Sequence, residues 1–341
     1  MQPRVYIIVL NWNGWRQTLE CLESIQRLNY ENYRIIVVDN GSGDNSVSFL
    51  ETWSSGCYIV NSPYFKWDQS SKPLYLVKYD RITAEAGGLP NLEKKIEGLP
   101  SSKVLVLIET GANLGYAGGN NVAIRYVLKR GGDYAWILNN DTVVESNSLS
   151  EMVKTAETDS QIGMVGCKLL YYNRPNVIQA AGGGKFNFWL GISRHYGSLD
   201  QDNGKWDRNF EPFYITGASL LVRVRAIEEV GEMDETYFLY GEEVDWQIRA
   251  RRLGWRSGYA PKGRVYHKEG ASSGYKSSYA EYLITRNSIR LCRRYTPWTV
   301  PSAVLSNYLR ALRRMVQGQP GCATAILRGM HEGLRDKVWG K

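Results

Sequence analysis

The chain has 341 residues, 43% hydrophobic and 22% charged, ordinary globular values that suffice for a large core. No apolar stretch approaches the roughly 20 residues of a membrane-spanning helix, Met1-Gln2-Pro3-Arg4 runs into a strand pattern rather than a leader, and Cys21, Cys57, Cys167, Cys292 and Cys322 lack CxxC spacing. These features argue against a disulfide framework, a thiolate metal site and a membrane span, and they predict a soluble cytoplasmic chain whose net charge of +8 is concentrated at one end: from Lys276 onward, twelve basic residues face three acidic ones.

A strand is expected over 4–10, then a helix from Trp15 to Leu28 with Leu19, Leu22 and Ile25 on one face, then a strand over 34–38. This is a β-α-β unit, which predicts a parallel sheet with a right-handed crossover. Residues 54–102, with Pro63, Pro73, Gly87-Gly88, Pro90 and Pro100, read as a surface insertion of about 40 residues carrying a small hairpin at Leu74 to Tyr79. A strand from Lys103 to Ile108 leads to the glycine-rich segment Asn113 to Asn121, whose helix continues through Leu128, and a strand over 134–138 delivers Asp141. Glu242-Glu243 opens a helix that ends near Leu253, with Arg249, Arg251 and Arg252 in its last turn and Gly254 as the stop.

Three apolar runs thus end in polar turns, at Asn11-Trp12-Asn13-Gly14, Asp39-Asn40-Gly41-Ser42 and Asn139-Asn140-Asp141-Thr142. A carboxylate at a strand's carboxyl end can hold a divalent cation, which can hold two phosphate oxygens, so three such ends describe a nucleotide crevice. Each motif also has a plainer explanation. Asp39 to Ser42 are all turn formers, and Asn140 to Thr142 could be a cap. Residues 113–121 fit neither the dinucleotide nor the P-loop spacing, although glycines at 115, 118 and 119 permit close backbone approach and helix N-termini favour anions.

Taken in order, Leu10-Asn11-Trp12-Asn13, Val38-Asp39-Asn40-Gly41-Ser42, Asn113 to Asn121, Leu138-Asn139-Asn140-Asp141 and Tyr240-Gly241-Glu242-Glu243-Val244-Asp245-Trp246 resemble glycosyltransferase family 2, in its rhamnosyltransferase-like branch, over roughly residues 4–295. The resemblance implies an α/β GT-A fold, Rossmann-like with a mostly parallel central sheet. Its catalytic domain would span 1–275, with a nucleotide-binding half 1–141 and an acceptor half 142–275, followed by a basic helical extension over 276–341. It implies an inverting, metal-dependent transfer from a UDP- or dTDP-sugar, with dTDP-rhamnose one case, to a glycan or lipid-linked saccharide in cell-surface polysaccharide synthesis. Asp39 would accept from the imide N–H of uracil or thymine, with Asn11 lining the nucleoside. Asn113, Gly115 and Asn121 would shape the nucleoside and diphosphate side, Asn140 and Gly217 would complete the donor contacts, and Thr216-Gly217-Ala218 would border the sugar. Asp141 would hold Mg²⁺ or Mn²⁺, with Asn139 where a further carboxylate is usual. His267, in Val265-Tyr266-His267-Lys268-Glu269-Gly270-Ala271-Ser272, would be a further ligand. Glu243 would be the catalytic base, Glu242 and Asp245 being lesser candidates.

Rival readings are a sugar nucleotidyltransferase, which needs a basic glycine-rich loop where Asn11 to Trp15 stand, and a catalytically silent nucleotide-sugar-binding scaffold. No nucleic-acid recognition motif accompanies the basic tail. Aromatics among residues 182–214 suit either core packing or stacking on an acceptor sugar. In the tail, Leu305, Tyr308, Leu309, Leu312, Met315 and Val316 form an apolar stripe beside Arg310, Arg313 and Arg314. It leaves three partners open: an anionic surface at the inner face of the membrane, the catalytic domain, or a second subunit in a homodimer.

Overall fold

The computed structural model describes residues 2–268 and 277–336. Glu269 to Ser272 of the histidine motif, and Lys276, Lys337 and Lys341 of the basic tail, lie outside the described residues. The first half runs β1 (Val5–Asn11), α1 (Trp15–Ile25), β2 (Tyr33–Asp39), α2 (Ser46–Ser54), β3 (Tyr75–Asp80), α3 (Arg81–Glu85), α4 (Pro90–Glu97), β4 (Val104–Glu109), α5 (Gly115–Arg130) and β5 (Tyr134–Asn139). It continues through β6 (Thr142–Val144), α6 (Ser148–Ala156), β7 (Ile162–Tyr171), β8 (Arg174–Ala181), β9 (Gly183–Asn187), β10 (Ile192–His195), β11 (Tyr214–Ile215) and β12 (Ser219–Arg223). The remaining elements are α7 (Val224–Val230), α8 (Glu242–Arg252), β13 (Arg256–His267), α9 (Ser278–Tyr295), α10 (Val300–Val316) and α11 (Pro320–Arg335).

The main sheet has the order β3-β4-β2-β1-β5-β12-β7-β13-β6, with β8 paired to β7. Strands β3, β4, β2, β1 and β5 are all parallel, as the crossover pattern predicts, while β12 runs antiparallel to both its neighbours. Alternate residues of one strand enter different cores: Ile7 and Val9 face α1 and α2, whereas Tyr6 and Ile8 face α5. The expected hairpin at 74–79 does not form. Tyr75–Asp80 is a single strand paired to β4, and Val77 and Tyr79 join the core, so the segment read as surface insertion supplies the edge of the sheet. Its partner strand lies 29 residues downstream, beyond the reach of any local pattern.

Chain order places β2 and β4 on one side of β1 and β5 on the other. Such a reversal opens a crevice at the carboxyl ends of the strands. A smaller sheet, β10-β9-β11, stands beside it, and its Phe186 and Tyr214 share a core with Val244 and Ile248 of α8 and with Ile289, Leu291 and Cys292 of α9. Helix α9 is therefore packed into one core with α8 and the smaller sheet.

Candidate active site

The parallel register puts Asn11 beside Asp39 and Leu10 beside Asn139, so the three polar strand ends meet at one edge. A directional chain of hydrogen bonds joins them. Asn140 Nδ2 donates to Thr18 Oγ1 at 3.0 Å, Thr18 donates to Asn11 Oδ1 at 2.7 Å, and Asn11 Nδ2 donates to Asp39 Oδ1 at 2.8 Å. Ser42 N donates to Asp39 Oδ2 at 3.1 Å. Asp39 is thereby fixed in direction while keeping lone pairs for a ligand. Asn11 is fully buried, and its side chain holds Asp39 and Ser42.

The glycine-rich segment is cross-braced to β2 through Asn40, which is buried. Asn40 Nδ2 donates to Asn113 Oδ1 and to the Gly115 carbonyl, and Leu114 N donates back to Asn40 Oδ1. Gly115 has φ +74°, and a Cβ on it would lie 2.5–2.6 Å from Phe238 atoms, so packing of the chain on itself already requires glycine there. Asn121 points away from the crevice: its amide donates to the Met233 carbonyl and to Glu235, and its Oδ1 accepts from Met233 N.

Asp141 is buried at the end of β5, and β13 runs antiparallel to β6 so that His267 lies beside Thr142. His267 Nε2 is 3.1 Å from Asp141 Oδ1, and its Nδ1 is 2.8 Å from Gln179 Oε1. An amide oxygen only accepts, so Nδ1 carries a proton and Nε2 is the nitrogen that faces Asp141, the one through which a neutral ring would ligate a cation. Burial alone would raise the Asp141 carboxyl, but His267 and Lys268 hold it below the usual carboxylate range. An imidazole nitrogen and a carboxylate oxygen facing each other at this distance fit a hard divalent cation whose remaining ligands would be diphosphate oxygens and water. Among the described residues no third His, Cys, Asp or Glu joins them.

On the opposite wall, α8 begins with Glu242 and Glu243. Gly241 N donates to Glu243 Oε2 at 3.0 Å, and burial raises the Glu243 carboxyl above its ordinary range. Glu242 is buried with Oε2 unsatisfied among the described residues, and burial followed by the Glu243 charge pushes it higher still. The Tyr116 hydroxyl donates to the Gly217 carbonyl at 2.7 Å, and after burial the charges of Glu242, Glu243 and Asp141 raise it well above its usual value. Tyr116 therefore stands between the two acidic walls. Asp245 is not available as a base: its fully buried carboxylate accepts from Tyr237, Arg249, Arg294 and Tyr295. Among the aromatics of 182–214, Phe186 and Phe188 pack on each other and Phe210 on Tyr259, whereas Trp189 is exposed.

Sequence reasoning marked neither Gln179 nor Thr18, nor the role of Tyr116. Thr18 sits seven residues after Asn11 in a helix read only for its apolar face, and Gln179 reaches the site from 88 residues away.

Residues 96–287 match the family described as glycosyltransferase like family 2, and residues 6–65 match glycosyl transferase family 2. Over 187 residues the chain is 28% identical to a low-salt glycan biosynthesis hexosyltransferase of Haloferax volcanii, covering 53% of this chain and 57% of that protein. It is also 28% identical to an N-acetylglucosaminyl-diphospho-decaprenol L-rhamnosyltransferase of Mycobacterium tuberculosis, covering 49% and 60%. The chain thus spans less than two thirds of the length of these relatives. Its fold resembles a mannosyltransferase from Pyrobaculum calidifontis in complex with GDP-Man and Mn²⁺, with TM-score 0.56 and 14% identity over 99% of this chain and 88% of that one. It also resembles GalNAc-T7 with UDP, GalNAc and Mn²⁺, with TM-score 0.54 and 14% identity over 97% and 54%. Both are GT-A structures, and at this identity the likeness establishes the fold.

Proposed function

The chain belongs to glycosyltransferase family 2, and from that premise we propose that it is an inverting, divalent-cation-dependent transferase using a UDP- or dTDP-sugar. The observation that carries the reading is the 3.1 Å approach of His267 to Asp141 at the carboxyl edge of the parallel sheet, beside Asp39 and across from Glu243. Asp39, held by Asn11 and Ser42, accepts the imide proton of the base. Asp141 and His267 hold Mg²⁺ or Mn²⁺, which when bound neutralises charge on the departing diphosphate. Glu243, whose raised affinity for protons suits a base working near neutrality, takes the acceptor hydroxyl proton as that oxygen attacks the anomeric carbon in line.

The mycobacterial relative is named for a lipid-diphosphate acceptor and for rhamnose. We assign this chain an acceptor of that class, a lipid-linked saccharide of a surface glycan, with dTDP-rhamnose as the first donor to try. No helix among the described residues is long and apolar enough to cross a membrane. The apolar stripe of α10 is nevertheless turned outward: Leu305, Leu309 and Met315 are 55–59% exposed and Val316 89%. Ala303, Asn307 and Ala311 form the buried face, and Arg310 and Arg314 pair with Glu281. The stripe does not pack on the described catalytic domain. Of the two remaining partners, an anionic lipid surface is favoured by the basic balance of the segment, residues 277–336 carrying nine arginines and no lysine against three acids. Flotation with anionic but not zwitterionic vesicles, lost in Leu309→Glu/Leu312→Glu, is expected. Sedimentation as a dimer without vesicle binding would assign the face to a second subunit instead.

The donor reading is tested by calorimetric titration of UDP, dTDP, GDP and ADP, with and without Mn²⁺, on wild type and Asp141→Ala. Metal-dependent binding of UDP or dTDP that the substitution abolishes is the expected result. A carboxylate could also accept from guanine N1–H, so preference for GDP would overturn the pyrimidine assignment. Metal-independent binding would overturn the roles of Asp141 and His267.

A further inference from the structure

The turn that leads into α8 is held in a conformation its residues do not favour. Phe238, Tyr240 and Gly241 have φ of +65°, +69° and +95°, and two of the three carry side chains. Non-glycine residues in this region cost of order 1 kcal/mol or more each and persist only where the surroundings over-determine them. One side chain does much of this. Asn287, buried on α9, places its Nδ2 3.0 Å from the Tyr237 carbonyl, 2.9 Å from that of Leu239 and 2.7 Å from that of Tyr240. Arg286 locks the amide the right way round, donating from Nε to Asn287 Oδ1 at 3.0 Å and from its guanidinium to the Tyr237 carbonyl at 2.9 Å. From the other side, Tyr116 N donates to the Phe238 carbonyl at 2.6 Å.

The next residues in the chain are Gly241, whose N–H holds Glu243 Oε2, and the two glutamates. We infer that Asn287 is a positioning residue for Glu243: its amide gathers the turn 237–240 and so sets the start of α8, and the carboxylate on it, against the acceptor side of the crevice. Helix α9 belongs to the segment read as an extension, yet through this amide it governs the geometry of the opposite wall. Asp245 also reaches this turn, accepting from the Tyr237 hydroxyl at 3.1 Å, but it otherwise fixes α8 to Arg294 and Tyr295, and a carboxylate cannot donate to these carbonyls. The proposal rests on the assignment of Glu243 as base, and it can be tested without turnover.

The experiment is a carboxyl ¹³C NMR titration of Glu243, assigned by Glu243→Gln, in wild type and Asn287→Ala, with UDP affinity in Mn²⁺ measured alongside. In the wild type the carboxyl titrates above its ordinary range because it is buried. Releasing the turn lets Glu243 reach water, so its midpoint falls toward that of an exposed glutamate while UDP affinity stays within about twofold. An unchanged midpoint in folded Asn287→Ala overturns the proposal, as does a loss of UDP affinity, which would mark a general structural role. Should Asn287→Ala fail to fold, Asn287→Ser retains a small donor at the same place and is expected to shift the midpoint in the same direction by less. Whether Glu243 is the base is decided separately by the kinetics of Glu243→Gln, so failure of the positioning idea and failure of the base assignment give different results.

Discussion

On the donor side, Asn11, Asp39 and Asp141 stand at or just past the ends of three adjacent parallel strands, and their mutual distances follow from backbone register. On the acceptor side, Glu243 stands at the start of a helix held by a strained turn, a packed tyrosine and an asparagine from the far end of the chain. The first wall is built by strand pairing, the second by a set of long-range contacts outside the strands, so that on the function proposed above nucleotide capture and proton removal would be separable.

The sharpest way to break that division is Glu243→Gln. Loss of a general base costs about 10²–10⁴-fold in rate, and kcat is expected to fall in that range while nucleotide affinity is unchanged. The pH profile carries the sign. A base acts only when deprotonated, and burial raises the Glu243 carboxyl, so the acid limb of kcat/KM lies above the ordinary carboxylate range and activity is lost as pH falls through it. Glu243→Gln removes that limb. A parallel fall in nucleotide affinity would show that the walls are not independent.

Gln179→Leu sharpens the comparison from the donor side. It keeps the volume but removes the acceptor that fixes the proton on His267 Nδ1. Such supporting residues typically change metal affinity by about 10–100-fold, and Mn²⁺ affinity, read by titration in the presence of UDP, is expected to fall in that range. UDP affinity at saturating Mn²⁺ should be untouched, since the hydrogen bond of Gln179 goes to His267 and not to Asp39 or Asn11. Unchanged Mn²⁺ affinity would mean that His267 is not a ligand.

The same contrast explains what was legible in the chain. The parallel strands, the Asp39 and Asp141 ends and the helix opened by Glu242 are local patterns of apolar run, turn and cap, and the structure contains each of them. The pairing of β3 at the sheet edge, the Gln179–His267 contact and the Asn287 clamp join residues from 29 to 88 positions apart, and no local period encodes them. The glycine-rich segment is the instructive middle case. Its glycines were read as permitting close backbone approach to a ligand, and among the described residues what lies against Gly115 and Asn121 is the chain itself, at Phe238 and Met233.

Asn121→Ala therefore separates a pocket residue from a brace. A pocket residue would change nucleotide affinity and leave stability alone. Asn121 instead satisfies both backbone groups of Met233, its N–H and its carbonyl, at a buried position. Removing such an amide leaves buried polar groups unmatched, at about 1–3 kcal/mol. Chemical denaturation is expected to show a loss in that range, with UDP affinity in Mn²⁺ within about twofold of wild type. The residues just after Met233 carry Glu235, which Asn121 also contacts, and lead into the turn that Asn287 gathers. Any secondary effect should thus fall on kcat rather than on donor binding, which would place Asn121 with the acceptor wall although its motif lies on the donor side.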